Sequence, residues 1–246
     1  MCGHCDVVDC LLSSGADINL HDNRRQLPLF AASKSGRFFI IERLLSCGAD
    51  INFREYRGQS PLFGASKSGN ILVVIMLIYC GAKPNLSDRN GQSPLFIASK
   101  YGHVVAVILL LCSGADINLR DKAGQSPLFV ASISGQCHVV KYLINSGADI
   151  NLRDNRRQSP LFAASKSGHC VVVELLIDSG ANINLRDRYK QSPLFIASKY
   201  GHLDVVKCLL RFGADINLCN NRGQSPLFAA SRFKHSDDVS IYLTNI

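Results

Sequence analysis

Cysteine and histidine are the residue types in this sequence with the most chemistry to offer, ten Cys and seven His in 246 residues. The opening run Cys2-Gly3-His4-Cys5 carries three metal-binding donors in four positions, and such a set holds zinc when a second ligand pair follows at matching spacing. No such pair follows, and Cys10 alone does not supply it. The sequence therefore implies no metal and no cofactor. The other cysteines fall at matching points of a periodic chain. Cys5, Cys137 and Cys170 share one point, Cys10 and Cys208 a second, Cys47 and Cys80 a third. Equivalent residues on adjacent packed helices stand about 8–10 Å apart, beyond the about 7 Å between Cα atoms that a disulfide tolerates. They read as free thiols in a reducing compartment.

The histidines obey the same period. His4, His103, His169 and His202 each follow a glycine at a helix start, and His235 aligns with them. Recurrence of this kind points to capping rather than to acid–base catalysis. No Cys–His or Ser–His pairing departs from the periodic background, and no glycine loop is built to cradle phosphate. The chain is expected not to be an enzyme.

The bulk numbers agree. Hydrophobic residues make up 47% of the chain and charged residues 19%, enough apolar matter for a substantial core. A net charge of +8 favours acidic partners and says nothing of fold. The N-terminus lacks the charged lead and apolar stretch of a secretory signal. The longest apolar runs, 71–80 and 104–112, are about half a membrane span. A soluble intracellular protein, cytoplasmic or nuclear, is the expectation.

What must position these residues is a repeat. Pro-Leu-Phe begins at Pro28, Pro61, Pro94, Pro127, Pro160, Pro193 and Pro226, each 33 residues after the last. Gly-Ala recurs in phase at Gly15, Gly48, Gly81, Gly114, Gly147, Gly180 and Gly213. A fixed period of this length marks a solenoid. Residues 90–122 show one unit. Ser93 is an N-cap before Pro94 at the first helical position, and Gly102 ends that helix. His103 and Val104 open a second helix with apolar Val104, Val107, Leu110 and Leu111, closed by Gly114. The stretch from Ala115 to Leu119 then runs out to a turn near Asp121. Each unit is helix, turn, helix and projecting hairpin-like loop.

The period, this grammar and the words Gly-Gln-Ser-Pro-Leu-Phe, Gly-His and Gly-Ala-Asp-Ile-Asn resemble the ankyrin repeat over essentially the whole chain. The resemblance implies an all-α solenoid of antiparallel helix pairs, curved, with first helices and loop tips on the concave side. As one domain, 1–246 divides into an N-terminal half repeat (1–23), full repeats (24–56, 57–89, 90–122, 123–155, 156–188, 189–221) and a C-terminal capping repeat (222–246). The sequence departs from the family twice. Thr-Pro-Leu-His becomes Ser/Leu-Pro-Leu-Phe, so the column Phe30, Phe63, Phe96, Phe129, Phe162, Phe195 and Phe228 is expected to replace a polar network by burial, about 1.5–3 kcal/mol for each side chain fully buried. Arg25, Arg157 and Lys190 stand where the loop glycine belongs, at about 1 kcal/mol each if that site needs positive φ.

Two surfaces depart from uniform solvation. Projected on the ankyrin frame, the concave positions carry Arg24, Lys34, Arg57, Lys67, Arg89, Lys100, Lys122, Arg156, Lys166, Arg188, Lys199, Arg222 and Arg232 and no acid. Neighbouring Asp22, Glu55, Asp88, Asp121, Asp154 and Asp187 offset six of these thirteen charges. Tyr56, Tyr101, Tyr189, Tyr200 and Phe233 are interleaved. The second surface is an apolar convex patch of Leu72, Ile75, Tyr79, Val105, Ile108 and Cys112, which Phe39 extends, at positions that are polar in most other units.

The expected function is a non-catalytic protein-binding scaffold that recognises an acidic protein surface through the basic concave face. The alternative is a polyanion, RNA, DNA or a phosphoinositide, in the same groove. The chain opens midway through a repeat, so residues 2–14 are expected to dock through Val7, Val8, Leu11 and Leu12 as the weakest helix of the stack. Further repeats upstream in a longer parent chain are also expected.

Overall fold

The computed structural model describes residues 3–232 and residue 243. Among the described residues there are fourteen helices and no strand. They divide into two compact units, Met1–Lys122 and Ala123–Ile246, and the division falls on a repeat boundary. The first unit holds α1 (Gly3–Ser13) and the pairs α2 (Pro28–Lys34) with α3 (Phe38–Ser46), α4 (Pro61–Ser68) with α5 (Ile71–Tyr79), and α6 (Pro94–Tyr101) with α7 (Val104–Cys112). The second holds α8 (Pro127–Ile133) with α9 (Cys137–Asn145), α10 (Pro160–Ser167) with α11 (Cys170–Asp178), α12 (Pro193–Tyr200) with α13 (Leu203–Arg211), and α14 (Pro226–Arg232). A fifteenth helix, expected from the repeat count, lies outside the described residues.

The first helices start where Ser-Pro dictates. Ser60, Ser93, Ser126, Ser159 and Ser192 each accept a hydrogen bond from the backbone N–H three residues on, at 3.1–3.2 Å. Leu27 offers α2 no such bond, an omission worth about 1 kcal/mol. At seven or eight residues these helices are too short to persist alone, so packing holds them. Phe30, Phe63, Phe96, Phe129, Phe162 and Phe195 are all buried, but Phe228 is 46% exposed. Among the described residues, three of the seven rings are thus buried in each unit. No described first helix follows α14 to cover the seventh.

The second helices from α5 onward bury their third, fourth and seventh positions, as in Val172, Val173 and Leu176 of α11, and in α3 the third position, Ile40, is half-buried. In α7 these are Ala106, Val107 and Leu110, while Val104 and Leu111 are only half-buried. The helix α1 lies against α3 through half-buried Val8 and Leu12, with an Asp9–Arg43 ion pair at 2.6 Å. Val7 and Leu11, expected to dock, are exposed. A helix with one neighbour buries one narrow stripe.

Polar stitches join successive repeats. The loop Asn52, Asn85, Asn151 and Asn184 each accept from a backbone N–H of the following repeat at 2.8–3.0 Å. The Gly-His histidines form a second seam. His103, His169 and His202 place Nε2 3.0–3.1 Å from the carbonyls of Lys67, Ile133 and Lys166, at the end of the preceding first helix. Asn70 does the same with its amide on Lys34. The histidines therefore cap, but they cap the neighbour's C-terminus and not their own helix. Gly69 shows the steric requirement: φ is +69° and a Cβ there would stand 2.6 Å from the His103 ring.

Candidate binding surfaces

The loop tips begin with a carboxylate turned inward. Asp22 accepts from the backbone N–H of Arg24 and Gln26, both at 2.8 Å. Glu55, Asp88, Asp154 and Asp187 repeat the pattern at 2.7–3.1 Å, and Asn220 reproduces it without charge. These four acids are 4–6% exposed. One oxygen of each is committed to the turn, and the other oxygen of Asp187 is buried with no hydrogen-bond partner. Each turn then bonds to the next tip, as in Arg89 N–H to the Arg57 carbonyl at 2.8 Å and Arg188 N–H to the Arg156 carbonyl at 3.0 Å. The tight turn needs a left-handed residue. Gly58, Gly91, Gly124 and Gly223 supply it, and Arg25, Arg157 and Lys190 are forced to φ of +56° to +62°.

Basic side chains occupy the solvent side of these tips and the ends of the first helices. Arg24, Lys34, Arg57, Arg89, Lys100, Lys122, Arg156, Arg188, Arg222 and Arg232 are exposed, and Lys67, Lys166 and Lys199 are half-buried. In the first unit, Arg24, Lys34, Arg57 and Lys67 line a cleft of about 380 Å³. Arg57, Lys67, Arg89, Lys100 and Tyr101 line another of about 420 Å³. In the second unit, Lys199, Arg222 and Arg232 line one of about 450 Å³ with Tyr189. The interleaved tyrosines are engaged. The Arg89 guanidinium lies 4.4 Å from the centre of the Tyr56 ring, and Arg188 lies 4.7 Å from that of Tyr189. Lys166 and Lys199 both reach Tyr200 within about 6 Å, and Lys100 reaches Tyr101 at 5.9 Å. Phe233 lies outside the described residues.

The second-helix surface of the first unit is apolar. Leu72, Ile75, Tyr79, Val105 and Cys112 are exposed, Tyr79 by 91%, and Ile108 is half-buried. Leu72, Ile75 and Tyr79 open onto a groove of about 800 Å³ between α3 and α5, closed on the other side by Phe38, Leu45 and Ile51. Phe38, not Phe39, lines it; Phe39 stands edge-on to Phe38 and faces water.

In the second unit the corresponding surface is polar and holds a cluster that the reading by equivalent positions passed over. All nine described cysteines are free thiols, yet one donor atom from each of Cys170, Glu174 and Cys208 lies within 4.8 Å of the others. Cys170 and Cys208 are 38 residues apart, one period plus five. They are diagonal neighbours rather than equivalents, and that offset was the available signal. Burial raises both thiols, Cys208 to about 12. Glu174 pairs with Arg211 at 2.7 Å. Cys2 and His4, the sequence's own candidate ligands, have no described side chains.

Among the described residues no helix is long and apolar enough to cross a membrane. The family model described as Ankyrin repeats (3 copies) matches residues 1–88, 62–154, 95–187 and 161–245. Comparison with curated proteins finds no match. The chain is similar in structure to the ankyrin repeat domain of human ASB11, with a TM-score of 0.81 at 24% identity, over 89% of this chain and 97% of that one. The chain matches 610 solved chains, so shape alone selects no partner.

Proposed function

This chain belongs to the ankyrin-repeat family, and from that premise we propose that it is a non-catalytic scaffold whose loop tips and first-helix ends bind an acidic surface of another protein. The ankyrin repeat is in general a protein–protein interaction module. The observation that carries the finer reading is the sorting of charge at the four tips that hold Glu55, Asp88, Asp154 and Asp187. Buried carboxylates are held by backbone N–H groups, while Arg and Lys stand in solvent around clefts in both units. A partner meets the exposed cations first, because these carboxylates, which still offset part of the charge, are buried, and this order steers acidic surfaces and disfavours basic ones.

A single-stranded nucleic acid is the competing ligand, because basic grooves with aromatics suit unpaired bases. The tyrosine rings argue for protein. Arg89 and Arg188 already lie against Tyr56 and Tyr189, so a base stacking on that face of either ring would have to displace a guanidinium. The test replaces Lys67, Lys100, Lys166 and Lys199 together by Gln and measures binding of an acidic peptide across salt. At about 0.5 kcal/mol per surface charge, affinity should fall roughly thirtyfold. Affinity indifferent to salt and to the four changes would refute the reading. An oligonucleotide run alongside separates the rival. Tight binding with a log–log salt slope near about −0.7 per phosphate, and no binding of the peptide, would replace protein by nucleic acid.

A further inference from the structure

We propose that Cys170, Glu174 and Cys208 form a site for one soft divalent cation, zinc being the natural occupant, that clamps α11 to α13. Cys170 and Glu174 stand on successive turns of α11, and Asp204 and Cys208 do the same on α13. Spacing of i, i+4 puts each pair on one face of its helix, so two helices present two donors apiece to one cleft. That cleft, about 520 Å³, is lined by these four residues with Lys207 and Arg211. Donor atoms of Cys170, Glu174 and Cys208 already lie within 4.8 Å of one another. Around tetrahedral zinc, with Zn–S near 2.3 Å and Zn–O near 2.0–2.2 Å, neighbouring donors stand about 3.3–3.8 Å apart. Rotamer adjustment closes the difference. The backbones need not move, because both helices are fixed by buried Val172, Val173, Leu176, Val205, Val206 and Leu209.

Charge and donor type favour this class of ion. Two thiolates select a soft or borderline cation over calcium or magnesium. Binding M²⁺ to two thiols and one carboxylate forms two metal–sulfur bonds and one metal–oxygen bond. It releases two protons to solvent and leaves a complex of net charge −1, beside Lys207 and Arg211. The Glu174–Arg211 pair is exposed at both ends, so freeing one carboxylate oxygen for the ion costs little. Water or the Asp204 carboxylate completes the fourth position. The ion would stabilise two successive repeats by binding only their folded form.

Cobalt(II) is the probe, titrated into the fully reduced, full-length chain without oxygen. The expected result is thiolate-to-cobalt charge transfer with tetrahedral d–d bands, saturating at one equivalent and displaced by zinc. Cys170→Ser with Cys208→Ser should abolish the bands, and Glu174→Gln should weaken binding about tenfold or more. Cys208 is buried, so Cys170→Ser alone serves as a second variant, with circular dichroism reporting the fold. Cys2→Ser with Cys5→Ser should leave the bands unchanged. Absence of charge transfer in the reduced chain would overturn the site, as would bands that survive loss of Cys170 and vanish with Cys5. A Cys170–Cys208 disulfide in chain purified without reductant, together with no cobalt binding after reduction, would also overturn it in favour of a redox clip.

Discussion

Helices α4 and α10 differ at one position in eight, Gly64 against Ala163, whereas their partners α5 and α11 agree at four positions in nine. The agreements are Val73 with Val172, Val74 with Val173, Leu77 with Leu176 and Ile78 with Ile177, and the first three pairs are buried. The disagreements include the side facing water, where Leu72, Ile75 and Tyr79 correspond to Val171, Glu174 and Asp178. The difference has a packing origin. A first helix is sandwiched between its neighbours and its own second helix, so six of eight residues in α4 are buried. The second helices α5 and α11 bury three of nine, and the rest of their sequence is open to variation. One face of this molecule is therefore repeated, and the other is individual. The repeated face carries the uniform Lys and Arg; the individual face carries an apolar groove in one unit and a thiol–carboxylate cluster in the other.

The comparison breaks most readily at its shared positions. Leu77→Ala and Leu176→Ala should each lower stability by about 2–5 kcal/mol, and by similar amounts, since both side chains are 0% exposed in matching surroundings. Chemical denaturation of the two variants checks this. A gap of more than about 2 kcal/mol between them would mean that the two second helices are not held alike.

Much of this was legible in advance. Ser-Pro and Gly at fixed spacing specify where helices start and stop, because caps are local chemistry. Recurrence identifies the histidines as caps but does not give their target, since the carbonyl they reach is 36 residues back. The acids beside the basic row were counted as offsetting charges. Only the turn geometry reveals that Glu55, Asp88, Asp154 and Asp187 face inward. The pairing of Cys170 with Cys208 required the diagonal offset between neighbouring helices, and exposure of Phe228 required knowing what covers it.

The thiol cluster gives the individual face a pH signature. Burial holds the Cys208 thiol at about 12, against an ordinary value of 9.0. Between those values the unfolded chain loses a proton that the folded chain keeps, so stability falls as pH rises through this window. Denaturation midpoints measured from pH 8.5 upward should therefore drop more steeply for the native sequence than for Cys208→Ala. Equal slopes would show that the thiol titrates normally.

At the loop tips, repeats within each unit differ by a backbone penalty, borne by Arg25 in the first unit and by Arg157 and Lys190 in the second. Arg157 holds φ of +62° where Gly58 and Gly91 sit at +76° and +79°. Arg157→Gly should stabilise the fold by about 1 kcal/mol, read as a rise in melting temperature. The reverse change, Gly58→Arg, should destabilise by more, because its Cβ would stand 2.9 Å from the backbone nitrogen of Arg89.

The smallest effect is expected on the exposed apolar stripe, and it tests whether α5 owes its fold to anything beyond its buried face. Leu72 and Tyr79 are 68% and 91% exposed, so most of their surface is in water in both folded and unfolded chains. Leu72→Gln with Tyr79→Gln should then change stability by no more than about 0.5 kcal/mol per site. Gln is also a fair helix former, so α5 loses nothing in propensity. What should change is association. Removing two large apolar side chains from the rim of the α3–α5 groove reduces a contiguous patch of the kind that drives self-contact. Sedimentation at high concentration should accordingly show less concentration dependence in the double variant than in the native sequence. A loss above about 1 kcal/mol per site would mean that these side chains support the helix, and that the two units differ in what holds their second helices as well as in what those helices display.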